Sequence, residues 1–355
     1  MKRSELLKAV EYVMAGVDKS GSPTGMDFIV FDGKNGWVRS FNDVLSVSYP
    51  LATGINGAIK AHDLVKVLSK MDGESLRLDL DGEKVLIKNA KTTLKMVKME
   101  ESQLSQFQSR LVSLQTEGLE WQPLPETFVE GLETCLFSAS NAPELGALAG
   151  VAISGNKMVS TDNKKITVFT IGGKTKFNFI LPTDVVNEVK KFSNLKEIAV
   201  TEAWVHFKDD TGLVISGRRI LGEYPIDKIT KLIDDSFPKS KKAKTYLLPD
   251  GMSKPIERAE ICAGVEGDFG GLATISLERK DKFLFIRGVK ESSDLEEKIS
   301  LTEGCDFPDG VSIRISPTFL KKIIGVTREF QTSQNNSIVL FKSKNFVHLI
   351  VVKIG

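Results

Sequence analysis

A segment that recurs three times constrains this chain more than any other feature. The copies read Ile59-Lys60-Ala61-His62-Asp63-Leu64-Val65, Ile180-Leu181-Pro182-Thr183-Asp184-Val185-Val186 and Ile315-Ser316-Pro317-Thr318-Phe319-Leu320-Lys321. Each is a strand end that runs into an amphipathic helix. Their starts are spaced by roughly a domain length, so the 355 residues divide into three similar units, 1–120, 121–244 and 245–355. Function is then to be sought in an assembly of repeats and not in one cleft.

Within a unit the plan is itself doubled. Leu6, Leu7, Val10, Val13 and Met14 recur at helical spacing, and strand-like runs follow at Phe28–Phe31 and Trp37–Leu51, punctuated by Asp32-Gly33 and Asn35-Gly36. A helix over Ala61–Lys70 is then followed by alternating Leu76, Leu78 and Leu80, an Asp81-Gly82 turn, Val85–Ile87, and Leu94 with Met96. The second unit opens helices at Leu124-Pro125-Glu126 and at Pro182 and turns a hairpin at Asp209–Gly212. The third predicts helices from Ser253 to Ala263 and after Ser316-Pro317, and a closing hairpin of Ile338–Phe341 with Phe346–Ile354. The polar stretches Glu100–Gln122 and Asp234–Lys244 read as linkers. Six helices and many strands predict an α+β architecture of antiparallel sheets with helices on one face.

With 41% hydrophobic and 26% charged residues the chain is long enough, and apolar enough, for several cores. No run approaches the roughly 18 apolar residues of a membrane span. The N-terminus Met1-Lys2-Arg3-Ser4-Glu5 becomes amphipathic where a signal peptide would become apolar, so residence in the cytoplasm is expected. Cys135, Cys262 and Cys305 are odd in number and far apart, which suits reduced structural thiols. A net charge of +2 means that any affinity for nucleic acid depends on where the charges sit.

They sit on helices. Lys66 and Lys70 oppose Leu64, Val65 and Leu68; Lys190 and Lys191 stand beside Val185, Val186 and Val189; Lys254 and Arg258 precede Ile261; Lys321, Lys322 and Arg328 oppose Phe319, Leu320, Ile323 and Ile324. One basic helix face is ordinary solvation. Repeated at equivalent places, such faces add into a lining suited to phosphates. Two helices depart: the first mixes Lys2, Arg3 and Lys8 with Glu5 and Glu11, and the one from Pro125 to Cys135 carries Glu126, Glu130 and Glu133 without a cation.

Catalytic constellations are sparse. His62 begins a helix while His206 and His348 fall in strand patterns, so no metal or triad spacing emerges, and neither a metal nor a cofactor is expected. The stretch Gly264–Gly271 lacks the G-x-G-x-x-G spacing, Gly54–Lys60 misses the P-loop, and Asp162 has no carboxylate partner close in sequence.

Several segments together resemble the bacterial sliding clamp, the β subunit of DNA polymerase III. They are Phe179-Ile180-Leu181-Pro182 with its helix, Leu124–Phe128 through Phe137-Ser138-Ala139, Ser160-Thr161-Asp162-Asn163-Lys164-Lys165-Ile166, Gly217–Pro225 with its Gly222-Glu223-Tyr224-Pro225, and Ile313–Ile324. The resemblance spans essentially the whole chain. It implies a head-to-tail homodimer, a ring of six similar domains whose helices face duplex DNA, among them Lys8, Lys66, Lys70, Lys190, Lys191, Lys254, Arg258, Lys321, Lys322 and Arg328. Contact with phosphates alone would hold no sequence register. It implies no enzymatic activity, and DNA polymerase and clamp loader as partners that bind through short hydrophobic peptides.

The same resemblance implies a peptide pocket at Leu148, Thr161, Asn163, Lys165, Ile166, Pro225, Ile350, Val352 and Ile354, and a subunit contact of Leu94 and Met96 with Ile261 and Cys262. Departures occur there: Asn163 replaces the usual glycine, Lys165 the usual arginine, and Ile350-Val351-Val352 the usual methionine-proline-methionine. They suit a divergent or phage-encoded member. The stretch Gln103–Phe107 happens to look like a partner peptide, a match short enough to arise by accident. A ring-forming scaffold that loads no DNA is the alternative reading; a phosphotransfer or nuclease enzyme is more distant.

Overall fold

The computed structural model describes residues 1–18, 26–112, 114, 116–173, 175–238, 244–266 and 272–354. The basic run at 239–243 and the glycine-rich stretch from 267 to 271 lie outside the described residues. Eight α-helices occur among those described: α1 Arg3–Val13, α2 Ala61–Lys70, α3 Glu101–Val112, α4 Phe128–Leu136, α5 Thr183–Val189, α6 Ile226–Ser236, α7 Ser253–Ile261 and α8 Pro317–Ile324. Six match expected helices. The other two, α3 and α6, lie in or beside stretches read as linkers, and both have a one-sided apolar stripe: Leu104, Phe107 and Leu111 in α3, Ile226, Ile229 and Ile233 in α6.

The chain packs as two units, Met1–Glu130 with Phe179–Leu221, and Gly131–Asn178 with Gly222–Gly355. The stretch expected as the second domain, 121–244, contributes to both.

In the first unit one antiparallel sheet runs Asn56–Lys60, Phe28–Asp32, Trp37–Phe41, Leu45–Pro50, Val214–Arg218, Trp204–Asp209, Leu195–Val200 and Gln122–Pro123. The join is between Leu45–Pro50 and Val214–Arg218, with Val47 opposite Ile215. Edge strands of two sequence repeats thus cover each other's unpaired N–H and C=O groups. Leu6, Val10 and Val13 of α1 and Leu64 and Leu68 of α2 are fully buried, and the two helices pack side by side. α3 covers a separate cluster, where Leu104 and Phe107 meet Val30, Phe41, Ala58 and Trp204. Gln103–Phe107 is therefore part of this unit's core and not a free peptide. A three-stranded sheet, Arg77–Asp81, Lys84–Lys88 and Thr93–Val97, completes the unit.

The second unit repeats the arrangement. Gly150–Ser154, Lys157–Thr161 and Lys165–Thr170 continue into Phe346–Val351, Ile338–Lys342, Glu329–Thr332 and Tyr246–Leu247, joined where Lys165–Phe169 faces Phe346–Ile350. A further sheet runs Ser293–Ser300, Phe283–Lys290, Ile275–Lys280, Ser312–Ile315 and Lys353–Ile354. The expected closing hairpin is corrected here. Past Val351 the chain leaves its partner, and Lys353–Ile354 pairs with Ile313 and Arg314 instead, stitching the two sheets together.

Helices α7 and α8 lie side by side over a core that includes Ile256, Ala259, Leu284, Ile286, Leu320 and Ile323. Glycine at 288 is what lets α7 come this close. A Cβ there would stand 2.0 Å from the Ala259 carbonyl oxygen, a backbone atom that cannot rotate away. We expect Gly288→Ala to destabilise the second unit by about 1–3 kcal/mol. An unchanged urea midpoint would mean that α7 is free to slide.

Candidate functional site

The basic helix faces exist, and they differ in how they are held. Lys8, Lys66, Lys70, Lys254 and Lys322 are exposed, and Lys190 is half-buried. None of these makes an ion pair with a described residue. The remaining cations are partnered: Lys191 with Glu188 at 2.7 Å, Arg258 with Glu297, Lys321 with Glu260 at 2.5 Å and Arg328 with Asp250 at 2.9 Å. The Arg258 hydrogen bond holds the Glu297 carboxyl below its usual range, and that of Lys321 does the same for Glu260. An exposed pair contributes little to stability but neutralises its own field. The six unpaired lysines are thus the cations most available to a polyanion. The acidic face expected on α4 is present too, with Glu126 just ahead of it and Glu130 and Glu133 on it, all exposed.

The Thr161–Ile166 segment is a tight turn built on side chains. Asp162 Oδ1 accepts from the Lys164 and Lys165 backbone N–H groups at 3.0 and 2.8 Å, and Asn163 N–H donates to Thr161 Oγ1 at 3.1 Å. Asn163 has φ 69°, the left-handed region, where asparagine is the best tolerated substitute for glycine. The departure at this position therefore keeps the turn's shape. Thr161 N–H donates to the Tyr224 hydroxyl at 2.8 Å, and burial raises the Tyr224 pKa. That bond ties the Thr-Asp motif to the Gly-Glu-Tyr-Pro motif.

Lys165 does not line the surface. Its Nζ donates to the Phe137 carbonyl at 2.9 Å, pairs with Asp162 at 3.2 Å and lies 3.8 Å from the centre of the Phe319 ring. Burial lowers its pKa, against the Asp162 charge that raises it. Beside it, His348 Nδ1 and Thr167 Oγ1 are 2.7 Å apart, and Thr167 meets Ser138 at 2.7 Å, a buried polar chain. Cys135 is fully buried and desolvation pushes its thiol up to about 12, which leaves it inert.

Register decides which residues of the last long strand belong with Ile166. Ile166 stands opposite Leu349, whereas Lys165 stands opposite Ile350. Side chains alternate along a strand, so Leu349 and Val351 share the face of Ile166. Ile350 and Val352 turn the other way into the α7–α8 core, at 3% and 4% exposure. The expected pocket is corrected by one residue. Ile354 contributes backbone pairing to another sheet. Of the other expected residues, Thr161 is buried, and Leu148 and Pro225 are half-buried. The outer face itself is a cluster of Val159, Ile166, Leu340 and Leu349 under Ile229 of α6, with Tyr224, Ile226 and Ile233 packed against it.

No protein-family model matches the chain, and no curated protein does. Solved structures do. A DNA polymerase III β chain from Streptococcus pneumoniae is 15% identical with a TM-score of 0.79, and the match covers 99% of this chain and 98% of that one. A DNA polymerase sliding clamp from Bacillus subtilis, 15% identical, and a β clamp from Helicobacter pylori, 13% identical, match over the same shares with TM-scores of 0.77 and 0.79. The fold is that of a bacterial sliding clamp.

Within this clamp fold two strands are hydrogen-bonded on one side only. Thr93–Val97 pairs with Lys84–Lys88, and Ser293–Ser300 pairs with Phe283–Lys290. Of the residues expected at a subunit contact, Ile261 is 70% exposed, Leu94 and Cys262 are half-buried, and Met96 is buried in its own unit. Val97, Val265 and Val289 are exposed apolar neighbours of these edges that pattern reading did not single out. Among the described residues no group of three or more His, Cys, Asp or Glu is placed to hold a metal, and no helix is long and apolar enough to cross a membrane.

Proposed function

We propose that this chain is a DNA sliding clamp, a non-enzymatic processivity factor that works in the cytoplasm on the replicating chromosome. The observation that carries the reading is the clamp fold over nearly the whole chain. The division into domains 1–120, 121–244 and 245–355 is retained as part of it. Two copies would close head to tail, the Thr93–Val97 edge of one against the Ser293–Ser300 edge of the other. Exposed Lys91 and Lys95 on the first would face exposed Asp294 and Glu296 on the second. Such a contact needs on the order of 800 Å² per partner. The ring would hold duplex DNA by topology, with unpaired lysines near phosphates and no base readout. Polymerase and loader would bind by short hydrophobic peptides on the face of Ile166, Leu349 and Val351, tethering the enzyme near the primer end.

Retention on nicked circular DNA, before and after linearisation, tests this directly: a loaded clamp stays on the circle and runs off the linear molecule. A scaffold without DNA-loading activity would be retained on neither. Changing Lys66, Lys70, Lys254 and Lys322 to glutamine should weaken loading equally on all sequences. Each phosphate contact removed should reduce the slope of log affinity against log salt by about 0.9. An unaltered slope would place these lysines away from DNA.

A further inference from the structure

The face just assigned to partner peptides is already covered by this chain's own α6. We propose that α6 is a displaceable strap, which a partner segment with apolar residues at i, i+3 and i+7 must replace to reach Ile166 and Leu349. The proposal rests on the partner-face reading above. Ile226, Ile229 and Ile233 form one stripe on α6 and pack against that face. They already have the pattern that an incoming helix would need.

The grip of α6 is light. Ile229 is its one buried residue, and Ile226 and Ile233 are half-buried. The other connector, α3, sets the contrast: it buries both Leu104 and Phe107 and pairs Arg110 with Asp43 at 3.4 Å. As a helix α6 is also weak. Pro225 offers no side-chain cap, the last turn carries Asp234 and Asp235 with no cation, and acidic residues at that end oppose the helix dipole. Eleven residues fall below the roughly 12–15 at which an isolated helix is marginal. Helicity therefore depends on the face beneath it. Gly222 supplies a hinge just ahead, at φ 138° with open space around it and exposed Leu221 and Glu223 on either side.

Two measurements decide. The first is hydrogen exchange on the full chain: α6 amides should exchange at least about 100-fold faster than those of α3. Equal protection would overturn the strap. The second titrates a labelled synthetic peptide of residues 224–237 against the wild type and an Ile229→Asp/Ile233→Asp variant whose own α6 is released. The peptide should bind the variant at least about tenfold tighter. A variant with native circular dichroism that binds no better would overturn the proposal; if the variant does not fold, the exchange comparison alone decides. A glutamine-led hydrophobic pentapeptide added as competitor separates the two readings. If it fails to displace the 224–237 peptide, the strap stands and the partner face falls. If it binds the wild type while the 224–237 peptide binds neither protein, the reverse holds.

Discussion

Val97→Asp together with Ile261→Asp should convert a head-to-tail dimer into folded monomers that are lost from nicked circular DNA. Both side chains are well exposed in the single chain, at 67% and 70%, so aspartate costs the subunit's own core nothing. In a closed interface each would become a carboxylate in a dry, apolar contact without a partner. An unsatisfied buried charge costs several kcal/mol. Two of them should raise the dimer dissociation constant by about a thousandfold or more. Leu94 and Met96 are poorer choices: Met96 is 8% exposed and stands opposite Val85, so aspartate there would unfold the first unit before it opened an interface. Light-scattering mass and DNA retention on the same sample are the check. A dimer mass for the folded variant would remove the edge-to-edge assignment.

Legibility in the sequence followed the strength of local patterning. The helix after each repeated segment was readable because proline or a polar residue sits at its start and an apolar stripe follows, and α2, α5 and α8 lie there. α3 and α6 were missed although their stripes are present, because glutamine, serine and aspartate around single apolar residues look like linker until a sheet face is known to lie beneath. The strand Ser293–Ser300 was missed for a related reason: its outward residues are charged, and half-buried Leu295 and Ile299 give a thin signal. The joining of strands from different repeats depends on distant edges meeting, which no local window contains. Errors at the site were errors of register. Ile350 and Val352 are as apolar as Leu349 and Val351, and only the pairing of Ile166 with Leu349 says which pair faces outward. At Asn163 the change of residue was legible but its consequence was not, since the positive φ that makes asparagine a fair substitute is a property of the folded turn.

Mild acid should destabilise both units, through one buried histidine in each. His206 is 1% exposed with Nδ1 2.8 Å from Ser216 Oγ, and His348 is 5% exposed with Nδ1 2.7 Å from Thr167 Oγ1. Desolvation lowers each from 6.5 to about 4, with the Lys165 charge adding to the effect at His348. A depressed folded pKa means that the unfolded chain takes up the proton first. Stability is therefore full above pH 6.5, falls as the pH drops from 6.5 toward 4, and changes no further from this source below that. The full loss is about 3 kcal/mol per histidine, of which about 2 kcal/mol is gone by pH 5. That is a large part of a typical domain's 5–15 kcal/mol, roughly speaking. The carboxylates held low by ion pairs, such as Glu297 and Asp306, lose their contribution only at lower pH, so the interval from pH 7 to 5 isolates the histidines. His206→Asn and His348→Asn keep a polar group near the Nδ1 position and remove the titration. Each variant should start less stable at pH 7 yet lose about 2 kcal/mol less than wild type on going to pH 5, by urea denaturation. If both variants lose as much as the wild type, the acid sensitivity has another source and the two imidazoles are not the groups that the unfolded chain protonates first.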